Sequence, residues 1–341
     1  TASCKQTYTP TQYSIEQFYQ NNRIDGGAFS EDETKLLVSS DESGIFNVYE
    51  IDISSGEKTQ KTFSGKESFF AIDYLPGANQ ILYSADKGGD ELNHIYLMNE
   101  DGTTTDLTPG ENEKASFAGW SEDKKSMYFT SNKRNPQFFD FYKMNIETWE
   151  SEMLYQNDNG INISNISEDE TWFAFSQTIT TSENKLFLTN RIDNSTIELS
   201  EEPGSYSASG FSKDNKYFFF ITDVGKEFSY LVRYIIETGE KEVLFQTNWD
   251  VMYSYLSENE KYRVIAINED GKNTLFIKDL VNNSDVYFPE IPDGDIKGVS
   301  LSESEKKIRL SIGTSKSPNN IYVYDMSSKE LKKLTETLNP E

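Results

Sequence analysis

The stretch that decides the fold is Phe29-Ser30-Glu31-Asp32-Glu33-Thr34-Lys35, in which an apolar residue precedes Ser-x-Asp and a few polar residues lead into an apolar run. The same pattern returns at Trp120-Ser121-Glu122-Asp123, Ile166-Ser167-Glu168-Asp169, Phe211-Ser212-Lys213-Asp214, Leu256-Ser257-Glu258-Asn259 and Leu301-Ser302-Glu303-Ser304, with Leu75-Pro76-Gly77 in the remaining place. The serine position falls at 30, 76 (as proline), 121, 167, 212, 257 and 302, so successive copies are 45 or 46 residues apart. Seven copies at one period indicate a repeat protein.

The content of each copy indicates a β-propeller, since a period of about 40 to 50 residues is typical of propeller blades. After Ser-x-Asp comes a run rich in β-branched and aromatic residues, as in 217–220, then a second run, as in 230–234. A polar turn such as 237–240 leads into a last short run, as in 242–245. Such runs, bounded by turn residues, are typical of strands. With the segment before Ser-x-Asp, each copy supplies four strands, so the sequence predicts an all-β fold, a seven-bladed propeller of four-stranded antiparallel blades.

The repeat also predicts the organisation of the chain. Residues 1–22 are expected to form a tether and a short helix capped by Ser14, and residues 336–341 to begin a linker. The propeller is expected to span 23–335, with blades at about 23–63, 68–108, 115–156, 161–200, 205–246, 250–288 and 295–335. The first and last copies of the repeat each contain all four of their strands. We therefore expect no strand-exchange clasp, a ring closed by packing between blades one and seven, and the weakest junction at that seam.

The Ser-x-Asp stretch has a structural interpretation. Serine and aspartate side chains accept hydrogen bonds from backbone amides two residues on, and so hold a tight turn between two strands. A catalytic serine repeated in every blade is not expected. The repeated stretch therefore predicts architecture and not chemistry.

Composition and charge narrow the classes of partner. The net charge is −25, from 57 acidic and 32 basic residues. Such a surface repels phosphate backbones, so no nucleic-acid partner is expected. Cationic ligands and a simply solvated acidic surface both remain open. No run approaches about 18 consecutive apolar residues, so no transmembrane helix is predicted.

The single cysteine, Cys4, lies in Thr1-Ala2-Ser3-Cys4-Lys5. Small residues before a cysteine resemble the end of a bacterial lipoprotein signal, in which that cysteine becomes lipidated. This interpretation predicts a lipid anchor at Cys4 and an extracytoplasmic location, in the periplasm or at the cell surface. An incidental cysteine is the alternative.

The residues needed for common catalytic and metal sites are missing from the sequence. The only histidine is His94, in a predicted strand, and no Gly-x-Ser-x-Gly elbow occurs, so no catalytic triad is predicted. Zinc sites need cysteine or histidine ligands. The acidic loops 86–91 and 268–271 do not fit the spacing of an EF-hand, so solvated turns are favoured over calcium sites. We therefore predict no catalytic, cofactor-binding or metal-binding residues.

Several segments nevertheless resemble a known family. The opening 13–19, the runs 27–32 and 43–49, and the second blade at 88–97 with 106–110 resemble the N-terminal propeller of the prolyl oligopeptidase family of serine peptidases, especially its bacterial acylaminoacyl-peptidase-like and dipeptidyl-peptidase-like members. The blade motifs are also similar to those of TolB-like propellers. The tail 334–341 looks like the join to a catalytic α/β-hydrolase domain.

This resemblance implies a non-catalytic propeller that gates the access of peptide substrates to a C-terminal hydrolase domain of the same polypeptide. In some members the propeller also supplies carboxylates that hold the amino terminus of a substrate, but no residue here can be matched to them. Two alternatives remain open. One is a stand-alone extracytoplasmic TolB-like lipoprotein that binds a protein or a small ligand, and the other is a propeller enzyme with a central metal, such as a lactonase.

Overall fold

The computed structural model describes residues 12–288, 291, 294–314 and 317–337. These residues form one short helix and seven four-stranded antiparallel sheets. Each sheet takes four strands that are consecutive in sequence, so one copy of the repeat builds one blade. The predicted seven-bladed propeller is confirmed, and no described sheet contains a strand exchanged between the two ends of the chain.

The first four blades have the following strands. Blade one contains β1 (Ile24–Phe29), β2 (Lys35–Ser40), β3 (Asn47–Asp52) and β4 (Lys58–Gln60). Blade two contains β5 (Phe69–Tyr74), β6 (Ile81–Ala85), β7 (His94–Met98) and β8 (Thr104–Asp106). Blade three contains β9 (Ala115–Trp120), β10 (Ser126–Asn135), β11 (Phe138–Asn145) and β12 (Ser151–Tyr155). Blade four contains β13 (Ile161–Ile166), β14 (Trp172–Thr178), β15 (Asn184–Asn190) and β16 (Thr196–Glu198).

The last three blades repeat this order. Blade five contains β17 (Tyr206–Phe211), β18 (Tyr217–Thr222), β19 (Tyr230–Ile235) and β20 (Lys241–Phe245). Blade six contains β21 (Asp250–Leu256), β22 (Tyr262–Glu269), β23 (Lys272–Asp279) and β24 (Ser284–Asp285). Blade seven contains β25 (Asp295–Leu301), β26 (Lys307–Gly313), β27 (Asn320–Asp325) and β28 (Glu330–Lys333).

The helix α1 (Ile15–Phe18) precedes the ring. Ser14 is its N-cap, as predicted: the Ser14 hydroxyl accepts the N–H of Gln17, and the Gln17 side chain accepts the N–H of Ser14. The helix is only one turn long. Among the described residues, no helix has the length and apolar character needed to cross a membrane.

The Ser-x-Asp turns join the first two strands of a blade. In blade one, the Ser30 hydroxyl donates to Asp32 Oδ1 at 2.7 Å, and Asp32 accepts the N–H of Thr34 at 3.1 Å. The structural role predicted for these residues is confirmed. The serine hydrogen bond differs from the prediction in one respect: Ser30 Oγ accepts the N–H of Lys35, which is five residues on and not two, at 3.0 Å. The same three bonds occur at Ser121, Ser167 and Ser212.

Blade two differs from its predicted register by one residue. In blade one the N–H of Ser30 donates to the carbonyl of Lys35, and in blade two the equivalent bond runs from Leu75 to the carbonyl of Gln80 at 2.9 Å. Leu75 therefore occupies the serine position, and its assignment to Pro76 was wrong. Proline has no N–H and cannot make this bond.

Each blade's first strand contains a β-bulge, which the sequence analysis did not predict. In blade six, Val251 pairs with Ile267 and Tyr253 pairs with Ala266, so Met252 is the extra residue. A bulge bends its strand and redirects the neighbouring side chains. The bulged first strands face the ring axis, as expected for a propeller, and β1 contacts β5, β13 contacts β17 and β17 contacts β21.

Packing between blades one and seven closes the ring, as expected. A buried apolar cluster joins Ile24, Val38 and Ile51 of blade one to Ile321 and Val323 of blade seven. In addition, the Glu33 carboxylate accepts the N–H and the hydroxyl of Ser304, at 2.7 and 2.8 Å.

Two further side chains cross the same seam. Lys332 Nζ donates to the carbonyl of Ile53 at 2.9 Å, and Arg309 donates to the carbonyl of Gly26. Side-chain hydrogen bonds therefore supplement the apolar packing where a strand clasp would otherwise lie.

Candidate functional site

The central channel is the feature that all seven blades build together. Because the first strand of each blade lies at the axis, its exposed side chains line this channel. One exposed residue occurs at the equivalent position of every first strand, and these are Asp25, Phe70, Ser116, Asn162, Ser207, Met252 and Lys297. The ring combines two apolar residues, three small polar ones and two opposite charges.

The channel opens on two faces with different chemistry. We call the face that carries the Ser-x-Asp turns the turn face, and the face that carries the connections between blades, such as 61–68, the loop face. The second residue of each turn stands at the mouth on the turn face, and in the structural register these residues are Glu31, Pro76, Glu122, Glu168, Lys213, Glu258 and Glu303. Five of the seven are glutamates, so this mouth is acidic.

Lys124 narrows the mouth on the turn face. It belongs to blade three, yet its Nζ lies 3.3 Å from Glu258 Oε1 of blade six and 3.8 Å from Glu303 Oε1 of blade seven. Blade three adjoins neither of these blades, so the contact crosses the mouth of the channel. The side chain of Lys124 is 33% exposed. These ion pairs are therefore accessible to solvent and weakened by salt.

A second ion pair lies beside the first. Lys213 Nζ is 3.3 Å from Glu168 Oε1. Burial raises the pKa of Glu168, the neighbouring Glu122 carboxyl raises it further, and Lys213 partly opposes both effects. Two like charges and one cation thus share a small volume, and the acidic mouth attracts cations.

Exposed apolar side chains occur on both faces: Ile192 and Val281, 80% and 74% exposed, lie on the turn face, and three others lie on the loop face. Phe63, Tyr287 and Ile179 are 78%, 61% and 47% exposed, and all three lie in connections on this face. Strand β1 also begins here and β28 ends here, since each blade runs down and up twice.

The residues singled out from the sequence lie away from this channel mouth or outside the described residues. His94 is 4% exposed, and its ring nitrogens contact Asp106 Oδ2 at 2.7 Å and the Glu113 carbonyl at 3.2 Å. Both partners are acceptors, so the ring ties β7 to the connection into blade three. Cys4 lies outside the described residues, and its lipid attachment stays a prediction.

The acidic loop 86–91 uses its carboxylates for the backbone. Asp90 accepts the N–H of Leu92 at 2.9 Å, and Asp86 accepts the N–H of Glu91 at 3.1 Å. Within the described ranges, no group of three or more histidine, cysteine or acidic side chains is arranged to hold a metal ion.

The described residues thus form a seven-bladed propeller whose ring is closed by side-chain contacts between blades one and seven. The mouth of its channel on the turn face is narrowed by the ion pairs of Lys124. The family model described as the prolyl oligopeptidase N-terminal β-propeller domain matches residues 62–337. Because this match covers most of the chain, the protein belongs to that family of propeller domains.

Individual relatives are more distant. The dipeptidyl peptidase family member 6 of Caenorhabditis elegans is 23% identical over 338 residues, which cover 91% of this chain and 45% of that protein. A structure from a study of two prolyl endopeptidases has a TM-score of 0.70 at 12% identity, covering 94% of this chain and 51% of that one. A puromycin-hydrolyzing peptidase of Mycobacterium tuberculosis has a TM-score of 0.69 at 11% identity, covering 92% and 53%.

TolB from Acinetobacter baumannii gives a TM-score of 0.54 at 12% identity, covering 98% of this chain and 86% of that one. These structural similarities show the fold. The chain spans about half the length of the peptidases that it matches.

Proposed function

We propose that this propeller gates the access of peptides to a serine peptidase domain that docks on its loop face. The observation that carries the proposal is the bridge from Lys124 to Glu258 and Glu303, which crosses one mouth of the channel. A peptide that enters from the turn face must pass this bridge. Narrow or unfolded chains can pass, and folded proteins cannot.

The loop face supports the same proposal. Phe63, Tyr287 and Ile179 present apolar surface there, and a domain that follows β28 in the chain would start at this face. Phe70 and Met252 continue the apolar surface into the channel, with 39% and 51% exposure. In this arrangement the acidic mouth faces solvent and the apolar mouth faces the active site.

The test uses the full-length product of the gene. Reading the gene beyond the codon for Glu341 should reveal a hydrolase domain with Gly-x-Ser-x-Gly followed by aspartate and histidine. In that product, K124A should raise kcat/KM for a long peptide several-fold relative to kcat/KM for a dipeptide substrate. About 1 M salt should have the same effect on the unmodified protein, because it screens exposed ion pairs.

The matched control is K185A. Lys185 pairs with Glu198 at 2.8 Å in blade four and does not belong to the ring of residues at the mouth. This variant should leave the ratio of the two substrates unchanged. An unchanged ratio in K124A, with activity intact, would contradict gating through this mouth.

A second candidate function is a free-standing binding propeller anchored outside the cytoplasm through Cys4. The observation that favours it is the TolB similarity, which extends over 86% of that chain. A stop codon directly after Glu341 would support this candidate and exclude the first. An apolar signal segment upstream of Thr1 would support lipid attachment in either case.

A further inference from the structure

The junction between blades three and four differs from the other six. At every other junction, a buried apolar cluster within the described residues spans the two neighbouring blades. Between blades three and four the contact that buried residues make in that part of the chain is aromatic, with the Phe141 and Phe173 ring centroids 6.3 Å apart. The facing strands carry aromatic rings instead, including Tyr128 and Phe141 on blade three and Phe173 and Phe175 on blade four.

These rings leave a groove at the junction. Its volume is about 580 Å³. We call it the blade 3–4 groove, and it is lined by Leu154, Tyr155, Ile161, Phe173, Phe175, Phe187, Thr189, Arg191, Asn194 and Thr196. The rings of Tyr155 and Phe175 contact each other at one side of it, tilted by 50° with centroids 4.6 Å apart. A cleft of this size with mainly apolar walls and a few polar groups is the usual form of a small-molecule site.

One cation stands in the wall of the groove. The guanidinium carbon of Arg191 lies 4.9 Å from the centroid of Phe173, and its side chain is 36% exposed. Arg191 Nη1 lies 3.5 Å from Glu170 Oε2 and donates to the Glu170 carbonyl at 3.4 Å, while Tyr128 and Lys143 both donate to Glu170 Oε1 at 2.6 Å. Arg191 therefore keeps donors that this carboxylate does not occupy.

Lys143 and Arg191 face Glu170, and Asp123 also faces Lys143, so the two cations and two carboxylates sum to zero in a protein whose net charge is −25. A guanidinium beside an aromatic wall can bind a carboxylate in a bidentate manner while the rings hold an apolar body.

We propose that the blade 3–4 groove binds a small amphiphilic acid, in which an aromatic or short alkyl body packs on Phe173, Phe175 and Phe187 and the carboxylate pairs with Arg191. The groove extends from the outer strands β12 and β16 to Ile161 at the start of β13, and none of the residues at the mouth on the turn face lines it. The same chemistry occurs in free aryl or alkyl acids and in the C-terminal aromatic residue of a peptide.

The test measures binding to the whole chain by isothermal titration calorimetry. The probes are 4-phenylbutyrate, the uncharged 4-phenylbutanol, and a tripeptide ending in phenylalanine with either a free or an amidated C-terminus. We expect 4-phenylbutyrate to bind at one site. 4-Phenylbutanol should bind at least about tenfold more weakly, because it cannot form the charge-assisted pair with Arg191. Tighter binding of the free-acid tripeptide than of 4-phenylbutyrate would identify a peptide as the source of the carboxylate, and weaker binding would identify a free acid.

Two variants and one control locate the site. R191Q should weaken binding of the acid about tenfold and leave the alcohol unchanged. T189L should block both probes by filling the groove. R233Q is the matched control, because Arg233 stands over Tyr217 at 4.8 Å in the same manner on blade five, and it should change neither affinity.

Circular dichroism establishes that each variant is folded before titration. Absence of binding of 4-phenylbutyrate up to about 10 mM would overturn the proposal, since that bound excludes even a millimolar site. If the R191Q and R233Q variants bind 4-phenylbutyrate with equal affinity, the proposal is overturned as well.

Discussion

Replacing Glu33 by alanine tests how the ring is closed. Glu33 is 7% exposed, and its carboxylate accepts two hydrogen bonds from Ser304 across the seam. A hydrogen bond to a charged group contributes about 1.5 to 3 kcal/mol. Water can replace part of this loss because Ser304 is exposed, so we expect E33A to lower the free energy of unfolding by about 2 kcal/mol.

The expected change in Tm follows from the size of the chain. With about 2.1 cal/mol/K per residue, the unfolding entropy of 341 residues is about 0.7 kcal/mol/K, so E33A should lower Tm by about 3 °C. Differential scanning calorimetry measures this shift. Hydrogen exchange should also show faster exchange in the strands β1 and β27, which face each other at the seam.

The control for E33A is E305A. Glu305 accepts the N–H of Asn259 at 2.8 Å between blades six and seven, and it has the same left-handed backbone, with φ of 60° against 55° at Glu33. The cost of placing alanine in that conformation therefore cancels between the two variants. E305A should leave exchange in β1 unchanged. If E33A shifts Tm by less than about 1 °C and leaves the exchange of β1 unchanged, the hydrogen bonds of Glu33 do not close the ring.

Three further predictions concern single ionisable groups. Burial raises the pKa of Glu170, but hydrogen bonds from basic and phenolic donors outweigh this effect and hold the pKa below 4.5. The carboxylate therefore contributes to stability above pH 4.5, and this contribution is lost as the pH falls further. E170Q should lower Tm at pH 7 and make Tm fall less steeply in acid, and parallel curves of Tm against pH for the two proteins would contradict this. Burial lowers the pKa of Arg263 to about 10, its hydrogen bond to Ser254 is 3.4 Å long, and methionine can keep contact with the Phe219 ring that the guanidinium covers at 3.9 Å. R263M should therefore leave Tm unchanged or raise it, and a fall of more than about 2 °C in calorimetry would show that the guanidinium stabilises the fold. Hydrogen bonds from Lys216 and the Ser212 hydroxyl lower the pKa of Asp214 to about 2. S212A should raise the titration midpoint of the Asp214 carboxyl measured by NMR, and an unchanged midpoint would show that the hydroxyl does not lower this pKa.

The repeat could be predicted from the sequence because each copy carries local information. Residues such as Ser212 and Asp214 bond within their own turn, so the pattern that predicts the turn also stabilises it. The one error of register occurred at Pro76, where the copy lacks both the serine and the aspartate. There the spacing alone could not distinguish Leu75 from its neighbour.

The contacts between blades could not be predicted in the same way. Lys124 follows Asp123 in an ordinary turn, and only the closure of the ring brings it to Glu258 and Glu303. The repeat did contain one usable signal, since the second turn position is glutamate in five of seven copies and all copies meet at one mouth. Nothing local in Phe173 and Phe175 indicates that a groove opens beside them.

The seam between blades one and seven has a mechanical consequence. Within each blade, neighbouring strands share backbone ladders, whereas the seam is held by side chains such as Glu33 and Lys332. The polypeptide enters β1 and leaves β28 on the same face, on the two sides of this seam. Tension applied between these two points would load the side-chain contacts first. The ring would then open into an arc of seven intact sheets, at a force below the one that unravels a blade.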